Sequence, residues 1–203
     1  MTGSFDGRPY LAFGVADGNY QTPVMLSDWV GNEMRLGMYW DYGEDKWTNH
    51  TKGAFPEEHA LSVAPVDWDL DGDLDLLQAC SSGAVFLRKN LGDATKPSFA
   101  AEVSPVLVGK ITLSSSAGHA MITLADWDKD GNWDILLGSD LGAVQWFRNK
   151  GKAGAPEFSA AVNLLPAGGH GGKNAHVAVG DLNGDGSLDL LVGENTPQQD
   201  LSV

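Results

Sequence analysis

One short loop, written three times, constrains this chain more than any other feature. The copies are Val66-Asp-Trp-Asp-Leu-Asp-Gly-Asp-Leu-Asp-Leu-Leu77, Ala125-Asp-Trp-Asp-Lys-Asp-Gly-Asn-Trp-Asp-Ile-Leu136 and Gly180-Asp-Leu-Asn-Gly-Asp-Gly-Ser-Leu-Asp-Leu-Leu191. Their shared glycines, Gly72, Gly131 and Gly186, fall 59 and 55 residues apart. A period of this length marks a fold assembled from repeated units. The stretches between the loops repeat as well. Gly83-Ala-Val-Phe-Leu-Arg-Lys-Asn90 matches Gly142-Ala-Val-Gln-Trp-Phe-Arg-Asn149, and Pro97-Ser-Phe-Ala-Ala101 matches Pro156-Glu-Phe-Ser-Ala160. Each unit reads as a short apolar strand, an Asp loop, a second strand, a turn, a third strand, a Gly/Lys-rich turn and a Phe-bearing fourth strand. No stretch sustains a 3.6-residue period, so helix is expected to be minor. Four antiparallel strands in roughly 55–60 residues make a β-propeller blade. A sandwich would also give many short strands, but not one motif at near-constant spacing. The expected fold class is therefore all-β, with about three and a half blades in 203 residues.

The composition agrees with this reading. Of 27 acidic residues 20 are Asp, and twelve of those 20 lie in the three loops. The formal charge of −14 argues against a nucleic-acid partner, which needs a concentrated Lys/Arg surface. The single cysteine, Cys80, excludes an internal disulfide framework and reads as a small half-buried residue. No run of 18 apolar residues is present, so no membrane insertion is expected. Met1-Thr-Gly-Ser-Phe-Asp6 lacks the basic start and apolar stretch of a signal peptide.

The loop has a definite chemistry. Oxygen-bearing side chains recur at positions 1, 3, 5 and 9, with Gly at position 6 allowing the positive φ of a sharp turn. Short oxygen ligands at alternate positions of a tight turn can face one point. A backbone carbonyl from position 7 and a water would complete the six or seven oxygens that Ca²⁺ takes. Mg²⁺ demands a stricter octahedron, and Zn²⁺ takes His or Cys, which the loops lack. Position 12 is Gln78, Leu137 or Val192 rather than the Glu of an EF-hand. One such loop could be merely an Asp-rich hairpin turn; three in register point to three Ca²⁺ sites.

These loops resemble the FG-GAP/VCBS repeats of integrin α-type β-propellers, whose motif is D-x-D-x-D-G-x-x-D. The resemblance covers residues 60–193 well and 6–55 poorly. It implies metal ligands at Asp67, Asp69, Asp71 and Asp75 with Asp73 at the carbonyl position; at Asp126, Asp128, Asp130 and Asp134 with Asn132; and at Asp181, Asn183, Asp185 and Asp189 with Ser187. It further implies a calcium-stabilised extracellular scaffold of the kind used in adhesion proteins, lectins and some polysaccharide-degrading enzymes.

The chain is thus expected to form one propeller region, residues 1–203. Residues 6–55 read as a degenerate blade without a metal loop, in one of two registers. One register places the lost loop near Asp17-Gly18; the other aligns Asp6 to Gly14 with Asp130 to Gly138. Blades follow at 56–114 with loop 67–75 and at 115–172 with loop 126–134, then a partial blade at 173–203 with loop 181–189. Such a chain would not close a ring by itself; the rest of a larger propeller, or a second copy, would complete it.

Strand alternation sorts the loops onto two faces. The Asp loops share one face with the turns between strands three and four. The other face collects the blade-to-blade connections, which carry His59, His119, His170 and His176, and the turns between strands two and three. Those turns supply Ser27-Asp28-Trp29, Cys80-Ser-Ser-Gly83, Asp140 and Glu194-Asn195. His59, His119, His170, His176 and Asp140 are the candidate ligand-binding residues, although His near a strand start also serves as a plain polar entrance. Trp68 and Trp127 are expected to pack between blades. No Gly-x-Ser-x-Gly motif is present and no nucleophile triad can be assembled from spacing. The expectation is a non-enzymatic extracellular binding module for carbohydrate or protein, with a polysaccharide-active enzyme as the alternative. Extracellular calcium suits loops of modest affinity, about 10⁻⁴ to 10⁻³ M.

Overall fold

The computed structural model describes residues 9–16, 18–34, 38–41, 43, 45–49, 60–168 and 172–195. Every regular element among them is a β-strand. Two short hairpins come first: β1 (Tyr10–Leu11) pairs with β2 (Val24–Met25), and β3 (Met38–Asp41) with β4 (Lys46–Asn49). A four-stranded antiparallel meander follows, of β5 (Ala60–Val66), β6 (Asp75–Cys80), β7 (Val85–Arg88) and β8 (Ser104–Pro105). The small hairpin of β9 (Leu107–Val108) and β10 (Ile111–Thr112) leads to a second meander. This contains β11 (Met121–Ala125), β12 (Asp134–Gly138), β13 (Val144–Phe147) and β14 (Val162–Leu165). A fourth hairpin pairs β15 (Lys173–Gly180) with β16 (Asp189–Asn195). These four-stranded antiparallel sheets have the make-up of propeller blades, and no closed barrel forms among the described residues.

The three Asp loops close their hairpins in one register. The last ladder pair before the loop is Val66 with Asp75, Ala125 with Asp134, and Gly180 with Asp189. The ninth loop residue is therefore the first residue of the second strand, facing the residue just before the first Asp of the loop.

The sheets stack face to face. First strands lie side by side: the Ile122 N–H donates to Ser62 Oγ (3.1 Å), joining β11 to β5, and Thr123 Oγ1 donates to the Val177 carbonyl (2.6 Å), joining β11 to β15. The main core fills the space between the first two meanders. Ala64, Leu77, Val85 and Leu87 come from one side, and Ile135, Leu137, Phe147 and Phe158 from the other. On the outer face of the first meander, Leu76 packs with Leu26 and Met34 of the N-terminal region and with Phe99. Both faces of β6 and β12 are thus covered, which explains their unbroken apolar runs and complete burial. Trp68 spans the sheet interface as expected. Its ring lies 5.6 Å from that of Trp133 and 6.3 Å from that of Phe158.

Several expectations need correction. The repeated Phe does not lie in the fourth strand. Phe99 and Phe158 make single bridges to Asn90 and Asn149 ahead of β8 and β14. The cause is the Asn: Asn90 Oδ1 accepts from the N–H groups of Gly92 and Ser98, and Asn149 Oδ1 from those of Gly151 and Glu157. That brace folds the Gly/Lys turn back and drops the Phe into the core before the strand begins. Cys80 is fully buried rather than half-buried, with Sγ donating to the Ala84 carbonyl. Ser27-Asp28-Trp29 does not join the far-face turns. Its Trp29 N–H donates to the Phe99 carbonyl, so the turn lies against the β7–β8 connection. Leu26 and Met34, packed with Phe99 and Leu76, hold it there.

Candidate functional site

Each Asp loop is wound by two left-handed residues, one before and one after its fifth position. Leu70 (φ 58°) and Gly72 (φ 94°) do this in the first copy, Lys129 (60°) and Gly131 (90°) in the second, Gly184 (76°) and Gly186 (84°) in the third. The winding turns the backbone N–H groups inward, onto the loop's own carboxylates. The first Asp accepts from the sixth-position glycine in all three loops: Gly72 onto Asp67 (3.2 Å), Gly131 onto Asp126 (3.0 Å), Gly186 onto Asp181 (2.8 Å). The fifth-position carboxylate accepts from residue seven: Asp73 onto Asp71, Asn132 onto Asp130, Ser187 onto Asp185. In the third loop Asn183 joins this pattern, its Nδ2 donating to Asp185 at 3.0 Å.

The ninth-position Asp is anchored from the neighbouring strand. Asp75 Oδ1 accepts the Asn90 N–H, and Asp134 Oδ1 the Asn149 N–H, each at 2.6 Å. The second oxygen turns back on the loop, where Asp134 takes the Trp127 N–H (3.1 Å) and Asp189 the Leu182 N–H (2.9 Å). Burial pushes the Asp75 and Asp134 carboxyls above the usual range. Asp73, also buried, is raised by desolvation and then by Asp71 beside it. At three exposed carboxylates the loop's own N–H groups win. Asp130, Asp181 and Asp185 are lowered, foremost by the backbone donors of Asn132, Gly186 and Ser187.

The donor set fits a hard divalent cation. Carboxylate oxygens of Asp67, Asp69 and Asp71 lie within 4.8 Å of one another, as do those of Asp126, Asp128 and Asp130. Asp67 Oδ1, Asp73 Oδ1 and Asp128 Oδ1 are buried without a hydrogen-bond partner. An unpartnered buried carboxylate oxygen is costly, and a bound cation relieves the cost. The third loop carries fewer acids and residues 181–187 are exposed throughout.

Sequence reasoning missed the basic partners of these loops. Lys89 donates to Asp69, and its Nζ stands 3.8 Å from Asp75 Oδ2. Arg148 holds Asp128 through Nε at 2.5 Å and Asp130 through Nη2 at 3.0 Å. Lys129 reaches from the second loop to the Gly186 carbonyl of the third. The signal was present, since a basic residue precedes both Asn90 and Asn149.

At the other ends of β12 and β15 a second cluster gathers. His119 Nδ1 lies 3.4 Å from Asp140 Oδ1, both side chains partly exposed. The Asn174 N–H donates to the Asp140 carbonyl (2.9 Å), and Asn174 lines an open cavity of about 540 Å³ with Met121, His176, Gly193, Glu194 and Asn195. Glu194 Oε1 is buried there without a partner. His119 (φ 40°) and Asn174 (φ 53°) hold left-handed backbone at this end. Three of the five candidate ligand residues, His119, Asp140 and His176, are thus brought to one end; His59 and His170 lie outside the described residues.

No curated protein matches the chain. Residues 126–192 match the model of the FG-GAP-like repeat family, a stretch that begins on the first Asp of the second loop and ends within β16, just beyond the third.

Proposed function

We propose that the chain is a calcium-stabilised extracellular binding module of propeller type, recognising a carbohydrate or a protein through the face opposite its Asp loops. One observation carries the calcium reading. Three hairpins close in the same register on Asp loops, the carboxylates of the first two converge, and Asp67 Oδ1 and Asp128 Oδ1 of those sets are buried and unpartnered. In the metal-free chain like charges crowd each loop and oppose its winding, so calcium is worth most where the acids are densest. Ca²⁺ loading is expected to raise the melting temperature and a chelator to lower it; melting curves indifferent to both would sink the reading. Extracellular calcium fills sites of this class, and the cytoplasm leaves them empty.

The ligand face is supported by the polar cluster of His119, Asp140, His176 and Glu194, within which His119 and the neighbouring Asn174 hold strained left-handed backbone of the kind that gathers at functional sites. Glu194 also favours the second reading, a polysaccharide-active enzyme. A carboxyl with one buried, unpartnered oxygen that lines the same cavity as an imidazole is suited to proton transfer. His119→Ala and His176→Ala separate the two. Loss of glycan-array binding by a protein that cleaves nothing marks a lectin-like module. Loss of polysaccharide cleavage, with calcium-dependent melting intact, marks the enzyme.

A further inference from the structure

The first two loops already hold a positive charge, and in both it comes from the same place in the repeat. Lys89 follows the end of β7 and Arg148 the end of β13, each immediately before the Asn whose N–H is bonded to the loop's last Asp at 2.6 Å. That short bond fixes where the basic side chain starts. Lys89 lands on Asp69 and near Asp75, and Arg148 on Asp128 and Asp130. Asp69, Asp128 and Asp130 are among the acids whose oxygens converge. An ammonium or guanidinium on those oxygens occupies lone pairs that a metal would use, and its charge repels a divalent ion at the same point.

We propose that Lys89 and Arg148 are tethered counter-cations: they fill the first and second loops when no metal is bound, and swing aside when a divalent ion enters. They would keep the metal-free loops wound, and in doing so weaken calcium binding. The proposal rests on the calcium reading above. The third loop is served differently: among the described residues no third-strand base reaches it, and Lys129 of the second loop bonds its Gly186 carbonyl while its charge, after the loop's own backbone donors, helps lower Asp181 and Asp185.

Terbium luminescence tests this, because Trp68 and Trp127 each follow a first ligand and can sensitise a bound Tb³⁺, whereas the third loop has Leu182 at that position. Lys89→Met and Arg148→Met are each expected to tighten Tb³⁺ and competing Ca²⁺ by about fivefold, the weight of one partly exposed ion pair. Both should lower the metal-free melting temperature. Lys89→Arg and Arg148→Lys should stay near the wild-type values. In the unmodified protein, Ca²⁺ should increase amine labelling of Lys89, read by peptide mass spectrometry. Unchanged or weaker metal binding in both Met variants overturns the proposal, as does Lys89 labelling that calcium leaves unchanged or reduces. Failure of the wild-type protein to bind Tb³⁺ or Ca²⁺ at all would instead fall on the calcium reading and take this one with it.

Discussion

Gly131 has open space where a Cβ would stand, but its φ of 90° lies where L-residues are strained. Gly131→Ala is therefore a pure backbone test. It is expected to lower stability by about 1–2 kcal/mol in urea unfolding with calcium present. Gly151 has the opposite problem, an ordinary φ but a neighbour in the way. A Cβ there would meet the Ala155 carbonyl oxygen at 2.3 Å, backbone that cannot step aside. Gly151→Ala should cost more than Gly131→Ala in the same assay, because it breaks the Asn149-braced turn. Asp75 separates structure from metal binding. Its folded pKa is raised, so ionising it favours the unfolded chain; the metal-free protein loses stability as pH rises from the ordinary carboxylate value through the raised one. Asp75→Asn keeps an acceptor for the Asn90 N–H and removes that charge. At neutral pH its metal-free melting temperature should match or exceed that of wild type, while the gain on adding calcium shrinks.

At the scale of the element, the Asp loop works as a hairpin connection with an anchor at each end. The first Asp binds the sixth-position N–H, and the ninth begins the next strand. Much of this was legible in the sequence, because a nine-residue pattern repeated three times fixes loop length, turn position and strand direction together. The Asn brace was not legible. Asn90 and Asn149 stood in the repeat, but only the folded turn shows one side-chain oxygen accepting two N–H groups. Removing it by Asn149→Ala leaves the Gly151 and Glu157 N–H groups without their acceptor, and the expected loss is about 1–3 kcal/mol in urea unfolding. The basic residues beside these asparagines were equally visible, yet nothing in a one-dimensional pattern says that Arg148 turns towards Asp128 rather than to solvent. That choice is made by the β12–β13 register, which sets Phe147 opposite Ile135 and so brings the end of β13 beside the loop.

Across the whole molecule, the stacked sheets give equivalent residues different environments. Leu77, Leu136 and Leu191 occupy the same place in the three repeats. The first two are fully buried, whereas Leu191 is 60 % exposed on the outer face of the β15–β16 hairpin. Leu136→Ala is expected to cost about 2–5 kcal/mol, as for any core truncation that leaves a cavity. Leu191→Ala in the same chain should change stability by less than about 0.5 kcal/mol, which paired denaturation curves will show. By itself the sequence determined the repeat, its strand-loop-strand grammar, the all-β class and the oxygen chemistry of the loops. Each of these follows from local spacing, and spacing is a property of the chain alone. Only the tertiary structure decided which faces of the sheets are covered, where the Phe and Trp side chains meet, and which carboxylates lie buried without a partner. It also decided that His119, Asp140, His176 and Glu194 gather at one end. Those outcomes depend on contacts between residues tens of positions apart, which exist only once the sheets have stacked.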